Sequence, residues 1–321
     1  MQREQSCKIV ATAVEAYTKM TSTPKVSGSM EKIDLVMWTK NGAETLPSVL
    51  KRISEVIPDR FVNKKVIVDD RSSDDTRKIA ESFGWTVAFN EGKGISDGAN
   101  TALKRVESKW FISFEQDLIL ARDWWDKIPK ALENPKVAAA SGMRFANKPA
   151  GIRRLQQYVA KKYRGEAKLE SWLRGREMAA FTLGKTLDNT IYRTEVVRAV
   201  GGFPKLKSSS GVDTILAYLV DQGGYHWYVD YSVQSVHFRR GLRQELEHQY
   251  WYAKQLVEIW RRIETETNKR PPVTKLSVVY RFFMSPFTGL FMAYKTMEPS
   301  IVYIHPLLRF YYLKGLLESG N

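Results

Sequence analysis

Four acidic side chains stand beside apolar runs, where a carboxylate meets solvent or ligand. Asp70 follows the run KVIV, Glu115 and Asp117 follow WFISF, and Asp213 opens a helical pattern. A carboxylate such as Asp70 can accept hydrogen bonds from a nucleobase. Two carboxylates one residue apart suit Mg²⁺ or Mn²⁺, which also bind diphosphates. Asp213 could take a proton from a hydroxyl as a general base.

The elements that would position these acids alternate between strand and helix. Strand-length apolar runs lie at 33–38, 65–68, 85–89 and 110–114, with helical patterns at 46–57, after residue 75 and at 99–106. This order predicts a parallel α/β sheet with helices on both faces. Ligands of such sheets bind at the carboxyl ends of the strands, so the acids would meet in one crevice. Each acid alone could instead be structural, because acids are common at strand ends and helix caps.

The second half of the chain is less regular. Its patterns predict a strand at 138–144, helices at 195–200, 211–220 and 244–267, and short strands at 227–229 and 232–237. The prolines at 271 and 272 end the long helix, because proline removes a backbone donor and clashes with the preceding turn.

Composition narrows the class of protein. The chain has 321 residues, of which 43% are hydrophobic and 26% charged, as in an ordinary globular protein. Its single cysteine, Cys7, excludes a disulfide framework and a zinc site built from several thiolates.

The net charge of +15 is unevenly spread. Residues 1–150 hold 24 basic and 20 acidic side chains, whereas residues 151–321 hold 26 and 15. Residues 144–176 alone carry 10 basic side chains against two acids. Such a stretch attracts phosphates of nucleic acid, anionic lipid or a phosphorylated substrate, and charge does not choose among them.

The two ends of the chain differ in character. Residues 1–30 lack the apolar stretch of a secretory signal and are predicted to be a loosely attached extension. Residues 282–294 are 13 uncharged residues, fewer than the roughly 20 that a spanning helix needs. With the apolar run at 301–308 and its aromatic and cationic flanks, they suit helices lying in a membrane interface. The alternative is a C-terminal subdomain packed on the core or on a partner subunit.

Several motifs occur in a fixed order along the chain. They are residues 36–47, the DD-x-S-x-D-x-T piece within 66–76, residues 92–100, Glu115-Gln116-Asp117, Gly201-Gly202-Phe203 and Asp213. In this order and spacing, residues 33–240 resemble the inverting family 2 glycosyltransferases, which have the GT-A fold. The resemblance implies a mostly parallel, Rossmann-like central sheet with flanking helices, to which a C-terminal amphipathic helical segment is added.

The resemblance also implies a role for each matching residue. Asp213 would be the catalytic base, and Glu115, Asp117 and His237 would hold Mg²⁺ or Mn²⁺. The groups expected at the nucleotide are Thr39, Asn41, Glu44, Asp70, Lys93 and Gln116. Arg144, Arg239 and Arg240 would contact the diphosphate or the acceptor.

Four positions depart from the pattern of that family. Trp38 and Lys40 replace its usual Pro and Tyr, and Val212 stands where an acid is common. Glu115 replaces the first Asp of the Asp-x-Asp motif and is one methylene longer. These departures concern metal affinity and sugar choice more than the class of reaction.

The expected organisation is an extension at 1–30, a GT-A domain at 31–270 and a membrane-associating segment at 271–321. Residues 31–143 would bind a UDP- or GDP-sugar, and residues 144–270 would bind the acceptor. The expected reaction transfers the sugar with inversion to an acceptor carried on a polyprenyl phosphate or diphosphate. The protein would lie at the cytoplasmic face of the cell membrane, as a peripheral or monotopic protein.

Two other functions compete with this interpretation. A sugar nucleotidyltransferase also uses an α/β sheet and a metal, but its Gly-rich phosphate loop near the N-terminus is missing here. A catalytically inactive membrane or nucleic-acid binding protein would also use the basic stretch. That stretch has few interleaved aromatic residues, and no nucleic-acid motif is recognisable, so no nucleic-acid partner is expected.

Overall fold

A computed structural model describes residues 31–165, 183–206, 210–267 and 274–319. The expected extension at 1–30, the end of the basic stretch from 166 and the boundary at 270–271 lie outside these residues. The described residues form one eight-stranded sheet with the order β3-β2-β1-β4-β7-β6-β8-β5. Its strands are β1 Ile33–Thr39, β2 Val62–Asp69, β3 Thr86–Phe89, β4 Trp110–Glu115, β5 Leu118–Ile119, β6 Val137–Ala146, β7 Thr190–Arg193 and β8 His226–His237.

Eleven helices surround the described sheet. They are α1 Leu46–Val56, α2 Thr76–Ser82, α3 Gly94–Arg105, α4 Trp124–Lys127, α5 Ala150–Gly165, α6 Thr194–Ala199, α7 Val212–Gln222, α8 Leu242–Thr267, α9 Lys275–Phe283, α10 Ser285–Thr296 and α11 Ile301–Leu317. Strands β1 to β4 are mutually parallel, β7 is antiparallel to β4 and β6, and β6 runs parallel to β8. The predicted GT-A type of α/β fold is confirmed.

Strand β1 shows why the sheet is covered on both faces. Its residues alternate between faces, as strand geometry requires. Leu35 and Met37 pack against Leu50 of α1, while Val36 and Trp38 belong to the opposite core with residues of α3. Every residue of β1 is buried, which explains why the strand is apolar apart from Asp34 and the terminal Thr39.

The strand registers bring the predicted acids to one edge. Thr39 is paired with Asp69, and Trp38 is paired with Glu115. The amide of Asp70 donates to the carbonyl of Thr39 over 2.8 Å, so the pairing continues to the crevice. The strand ends that carry the predicted acids therefore lie at one edge of the sheet, as predicted.

Strand β8 differs from the sequence prediction of two short strands. It is one strand whose register along β6 jumps from Gly142–Asp230 to Met143–Gln234. The extra residues form a bulge, which a pattern of alternating polarity cannot distinguish from a strand break. Beyond the bulge, His237 pairs with Leu118, which places the end of β8 beside the turn that follows β4.

The C-terminal helices pack on the rest of the protein. Leu316 of α11 lies in a cluster with Ala253 and Leu256 of α8, and Ile304 packs on Ile152 of α5. Among the described helices, none is by itself long and apolar enough to cross a membrane. The bent pair α9–α10, with 62° between its helices, passes that test by length and composition only.

Candidate active site

Two carboxylates and one imidazole converge where β4 and β8 end. His237 Nε2 lies 3.1 Å from Asp117 Oδ1 and 4.0 Å from Glu115 Oε2. One ligand atom from each residue lies within 4.8 Å of the other two. Carboxylate oxygens with one imidazole form a donor set that suits Mn²⁺ and is compatible with Mg²⁺. The three residues predicted to hold a metal therefore fit a divalent ion.

Arg239 braces this metal triad (Glu115, Asp117 and His237). Its guanidinium lies 3.8 Å from Asp117, 3.3 Å from His237 Nε2 and 3.2 Å from Glu245 at the start of α8. Burial alone would raise the pKa of Asp117, but the hydrogen bond from His237 and the charge of Arg239 outweigh it, and the pKa is lowered. Asp117 is therefore held as a carboxylate, which is the form that binds a cation.

Arg144 links the triad to a buried acid. Its Nη1 lies 2.8 Å from Asp188 and 3.4 Å from Glu115. Burial and the charge of Asp188 raise the pKa of Glu115 to about 8, although Arg144 opposes the shift. Arg144, predicted to contact the diphosphate or the acceptor, is thus engaged with two carboxylates, and its side chain is 28% exposed.

Asp213 lies in the first turn of α7, after Gly211 in the left-handed conformation at φ 81°. Its Oδ1 accepts from the amide of Thr214 over 2.7 Å. Burial raises the pKa of Asp213, and the charge of Arg144 works against this rise. A carboxylate with a raised pKa is a stronger base than an exposed one, which fits proton abstraction.

Gln116 connects the triad to the end of β1. Its Oε1 accepts from the Thr39 hydroxyl and, over 2.9 Å, from the amide of Lys40. Asp70 accepts from the amide of Gly94 over 3.2 Å, and Lys40 Nζ lies 3.6 Å from its carboxylate. Three of the predicted nucleotide residues, Thr39, Asp70 and Gln116, therefore share one edge of the sheet.

Asn41 holds the loops after β1 and β2 together. Its Oδ1 accepts from the amide of Ser73 over 2.9 Å, and its own amide donates to Ser72 Oγ over 2.8 Å. Its φ of 49° is a conformation that asparagine tolerates better than most residues. Asn41 therefore holds two loops in place, in addition to the nucleotide contact that was predicted for it.

The other predicted contacts lie on the surface. Arg240 and Glu44 form an ion pair between the loops after β8 and β1, and their side chains are 78% and 68% exposed. The backbone amide of Lys93 donates to Asp97 over 3.0 Å, and the Lys93 side chain is exposed. These three side chains are therefore more exposed than those of the metal triad.

Four polar residues of this site were not predicted from the sequence. Asp188 is fully buried just before β7, and its only signal in the sequence is an acid within the otherwise uncharged residues 186–192. Glu245, His248 and Tyr252 lie on α8 at spacings of three and four, which is one helix face. Burial and the charge of Arg239 lower the pKa of His248 to about 4, so this imidazole is neutral near pH 7.

A GT-A-type sheet with a metal triad and a buried carboxylate at its carboxyl edge is the architecture of a glycosyltransferase. The sequence pattern of Glycosyl transferase family 2 matches residues 34–200, more than half of the chain, and the protein belongs to this family. No curated protein sequence matches the chain significantly.

Solved structures share the fold at low sequence identity. The mannosyltransferase PcManGT from Pyrobaculum calidifontis, in complex with GDP-Man and Mn²⁺, is 15% identical with a TM-score of 0.60, covering 98% of this chain and 95% of that one. Glucosyl-3-phosphoglycerate synthase from Mycobacterium tuberculosis, with Mn²⁺, UDP-glucose and phosphoglyceric acid, is 17% identical with a TM-score of 0.54, covering 76% and 86%. A structure of that synthase with Mg²⁺ and UDP is 15% identical with a TM-score of 0.52, covering 79% and 83%. The predicted cofactor, Mg²⁺ or Mn²⁺, agrees with the triad and with these complexes.

Proposed function

We propose that the protein transfers a hexose from a nucleotide sugar, with inversion, to an acceptor hydroxyl or phosphate. The observation that carries this proposal is the metal triad together with the buried carboxylate of Asp213, whose charge interacts with those of Glu115 and Arg144. A divalent ion held by Glu115, Asp117 and His237 would neutralise negative charge on the departing diphosphate. The donors GDP-Man and UDP-Glc in the similar structures support a GDP- or UDP-sugar here.

The side chains of the chain itself divide the remaining work. Asp213 accepts the proton of the acceptor as the new bond to the sugar forms, and the nucleoside diphosphate leaves from the opposite face. Thr39, Asp70 and Gln116 bind the nucleoside end of the donor. Arg144 contacts Glu115 of the triad and Asp188, and its positive charge keeps Asp213 more acidic than burial alone would make it.

Two measurements test this activity. Thermal unfolding is followed with Mn²⁺ and a panel of nucleoside diphosphates and their sugars, because a bound ligand stabilises the folded state. Proton NMR of the product then gives the anomeric configuration. Stabilisation by no nucleotide, or a product that retains the donor configuration, would overturn the proposal.

Replacing Gly42 with alanine is expected to weaken donor binding by about tenfold. A Cβ at Gly42 would lie 2.7 Å from Gln116 Oε1 and 3.0 Å from Thr39 Oγ1, so Gln116 must leave its contacts. Overpacking of this kind also costs about 1–3 kcal/mol of stability. Titration calorimetry with the preferred nucleoside diphosphate and Mn²⁺ measures the first effect.

Gly223→Ala is the matched control. A Cβ there would lie 3.4 Å or more from its neighbours, which is ordinary van der Waals contact. Equal affinities of the two variants would show that Gln116 does not shape the nucleotide site.

The acceptor is proposed to be a polyprenyl-phosphate-linked molecule at the cytoplasmic face of the membrane. The support is an exposed apolar stripe at helical spacing on two of the C-terminal helices. It consists of Tyr280 and Phe283 on α9 and of Phe287, Phe291 and Tyr294 on α10. Each of these side chains is between 52% and 73% exposed. Aromatic stripes beside cationic residues are typical of helices that lie in a membrane interface.

Replacing both Phe283 and Phe287 with serine is expected to weaken vesicle binding at least tenfold. Each phenylalanine side chain that leaves an apolar phase costs about 2 kcal/mol. Co-sedimentation of the full chain with phosphatidylcholine–phosphatidylglycerol vesicles measures this effect. The control is Tyr228→Ser, an exposed aromatic residue of β8 that is 44% exposed. Equal recovery of the two proteins would contradict membrane docking through α9 and α10.

A soluble phosphorylated acid is the second candidate acceptor. The synthase structures that share this fold contain phosphoglyceric acid. The same basic residues that attract a lipid phosphate would attract such an acid. Product formation with phosphoglyceric acid in the absence of any lipid would favour this candidate.

A further inference from the structure

We propose that a basic groove between α5 and the end of α10 binds the phosphate of a lipid-borne acceptor. This inference rests on the proposed transfer reaction and names the place where its acceptor is held. We call it the basic groove, and it is defined by five cationic residues: Lys148, Arg153, Arg154, Lys161 and Lys295.

Two adjoining cavities make up the basic groove. The first has a volume of about 530 Å³ and is lined by Asn147, Lys148, Ala150, Arg153, Arg154 and Gln157. The second has about 600 Å³ and is lined by Arg154, Gln157, Tyr158, Lys161, Lys295 and Thr296. Arg154 and Gln157 line both cavities, so the two cavities adjoin along α5.

The charge of the basic groove is uncompensated among the residues that the structure describes. Among the described residues that line the two cavities, five are cationic and none carries a carboxylate. Lys295 lies over the rings of Phe291 and Tyr294, at 5.6 Å and 5.8 Å from their centroids, which leaves its charge unneutralised. Several unpaired cations around a space of this size favour a multiply charged anion such as a phosphate or diphosphate.

One end of the basic groove adjoins the metal triad. Asn147, which lines the first cavity, accepts through Oδ1 from the amide of Arg239 over 2.7 Å. Its own amide donates to the carbonyl of His237 over 3.0 Å. Gln156 accepts from the amide of Ala146 over 2.8 Å and so ties α5 to the end of β6. An anion in the first cavity would therefore lie next to the residues that position the triad.

The other end of the basic groove adjoins the exposed apolar stripe of α10. Lys295 and Thr296 end that helix, and the outward-facing Phe291 and Tyr294 precede them. A phosphate in the groove could thus be attached to an apolar chain that continues along α10 toward a lipid phase. A small soluble phosphate would use the cations but would gain nothing from this stripe, so the arrangement favours a lipid-borne phosphate.

The test uses the full chain with Arg153 and Arg154 both replaced by glutamine. Flotation is measured with phosphatidylcholine vesicles that contain a long-chain isoprenoid monophosphate, and with vesicles in which phosphatidylserine supplies equal charge. The expected result is a loss of about tenfold or more in affinity for the isoprenoid phosphate vesicles, with a much smaller loss on phosphatidylserine. Lys51→Gln with Lys130→Gln, which removes two exposed charges elsewhere, is expected to change neither affinity.

Three results would overturn the inference. They are unchanged affinity of the Arg153→Gln and Arg154→Gln double variant, equal losses on both vesicles, and displacement from the isoprenoid phosphate vesicles by millimolar inorganic phosphate. The last result would identify a free phosphate as the ligand. The double variant Arg153→Lys with Arg154→Lys, which keeps both charges, should retain most of the binding and so separates loss of charge from a folding defect. Stabilisation by Mn²⁺ with a nucleoside diphosphate is measured on the same variants, and its absence in the wild type would refute the transfer reaction separately.

Discussion

Replacing Asp213 with asparagine is expected to lower kcat by about a thousandfold, within the range for the loss of a general base. The amide keeps the size of the side chain and can still accept from Thr214, but it cannot take a proton from the acceptor. Asp213 is not among the three ligands of the metal triad, so affinity for Mn²⁺ and for the nucleotide should change little. Steady-state rates and titration calorimetry on the same protein separate the two effects.

Asp221→Asn supplies the control, since it makes the same chemical change at the other end of α7. It should retain a nearly normal rate. If Asp213→Asn lost nucleotide affinity in proportion to its rate, Asp213 would belong to the donor site, and another group would be the base.

The dependence of the rate on pH gives a second signature of this base. Burial raises the pKa of Asp213 above its usual value of 3.8, because the charged form is costly to bury. The rate kcat/KM should therefore fall as the pH is lowered through that raised pKa, where the base becomes protonated. The wild type should show this acid limb when saturated with Mn²⁺, and Asp213→Asn should lack it.

The first half of the fold could be predicted because local signals and tertiary structure agree there. The later parts of β1, β2 and β4 are buried and mostly apolar, and each of the three strands ends in a polar residue at the same edge. Parallel strands force those ends together, so the meeting of Thr39, Asp70 and Glu115 follows from the order of elements alone.

The parts that could not be predicted depend on contacts between distant segments. Asp188 becomes part of the site only because Arg144, on a strand 44 residues earlier, forms an ion pair with it. The bulge in β8 aligns His237 with Leu118 through pairing with β6 and β5, and no local pattern specifies that register. In the sequence, Glu245 is one of many charged residues of a long helix, and only its ion pair with Arg239 makes it part of the site.

Replacing Asp117 with alanine is expected to weaken Mn²⁺ binding more than a hundredfold and to remove measurable transfer. Asp117 is the triad carboxylate whose pKa is lowered, so it is ionised without any rearrangement of the site. Glu115 starts from a pKa of about 8 and must lose a proton near neutral pH before it can bind a cation. The loss of Asp117 therefore removes the triad carboxylate that is already ionised, and even groups outside the first coordination shell are worth 10–100-fold in metal affinity.

Calorimetry with Mn²⁺, in the presence and absence of the nucleoside diphosphate, measures this loss without relying on turnover. Asp123→Asn is the matched control, since that acid is paired with Lys127 over 2.7 Å on the surface. Arg239 keeps its partner Glu245 in Asp117→Ala, so the brace around the site should survive and the variant should fold. If Asp117→Ala bound Mn²⁺ as the wild type does, the ion would have to be held elsewhere. The triad would then be an ion-pair network that stabilises the junction of β4 and β8.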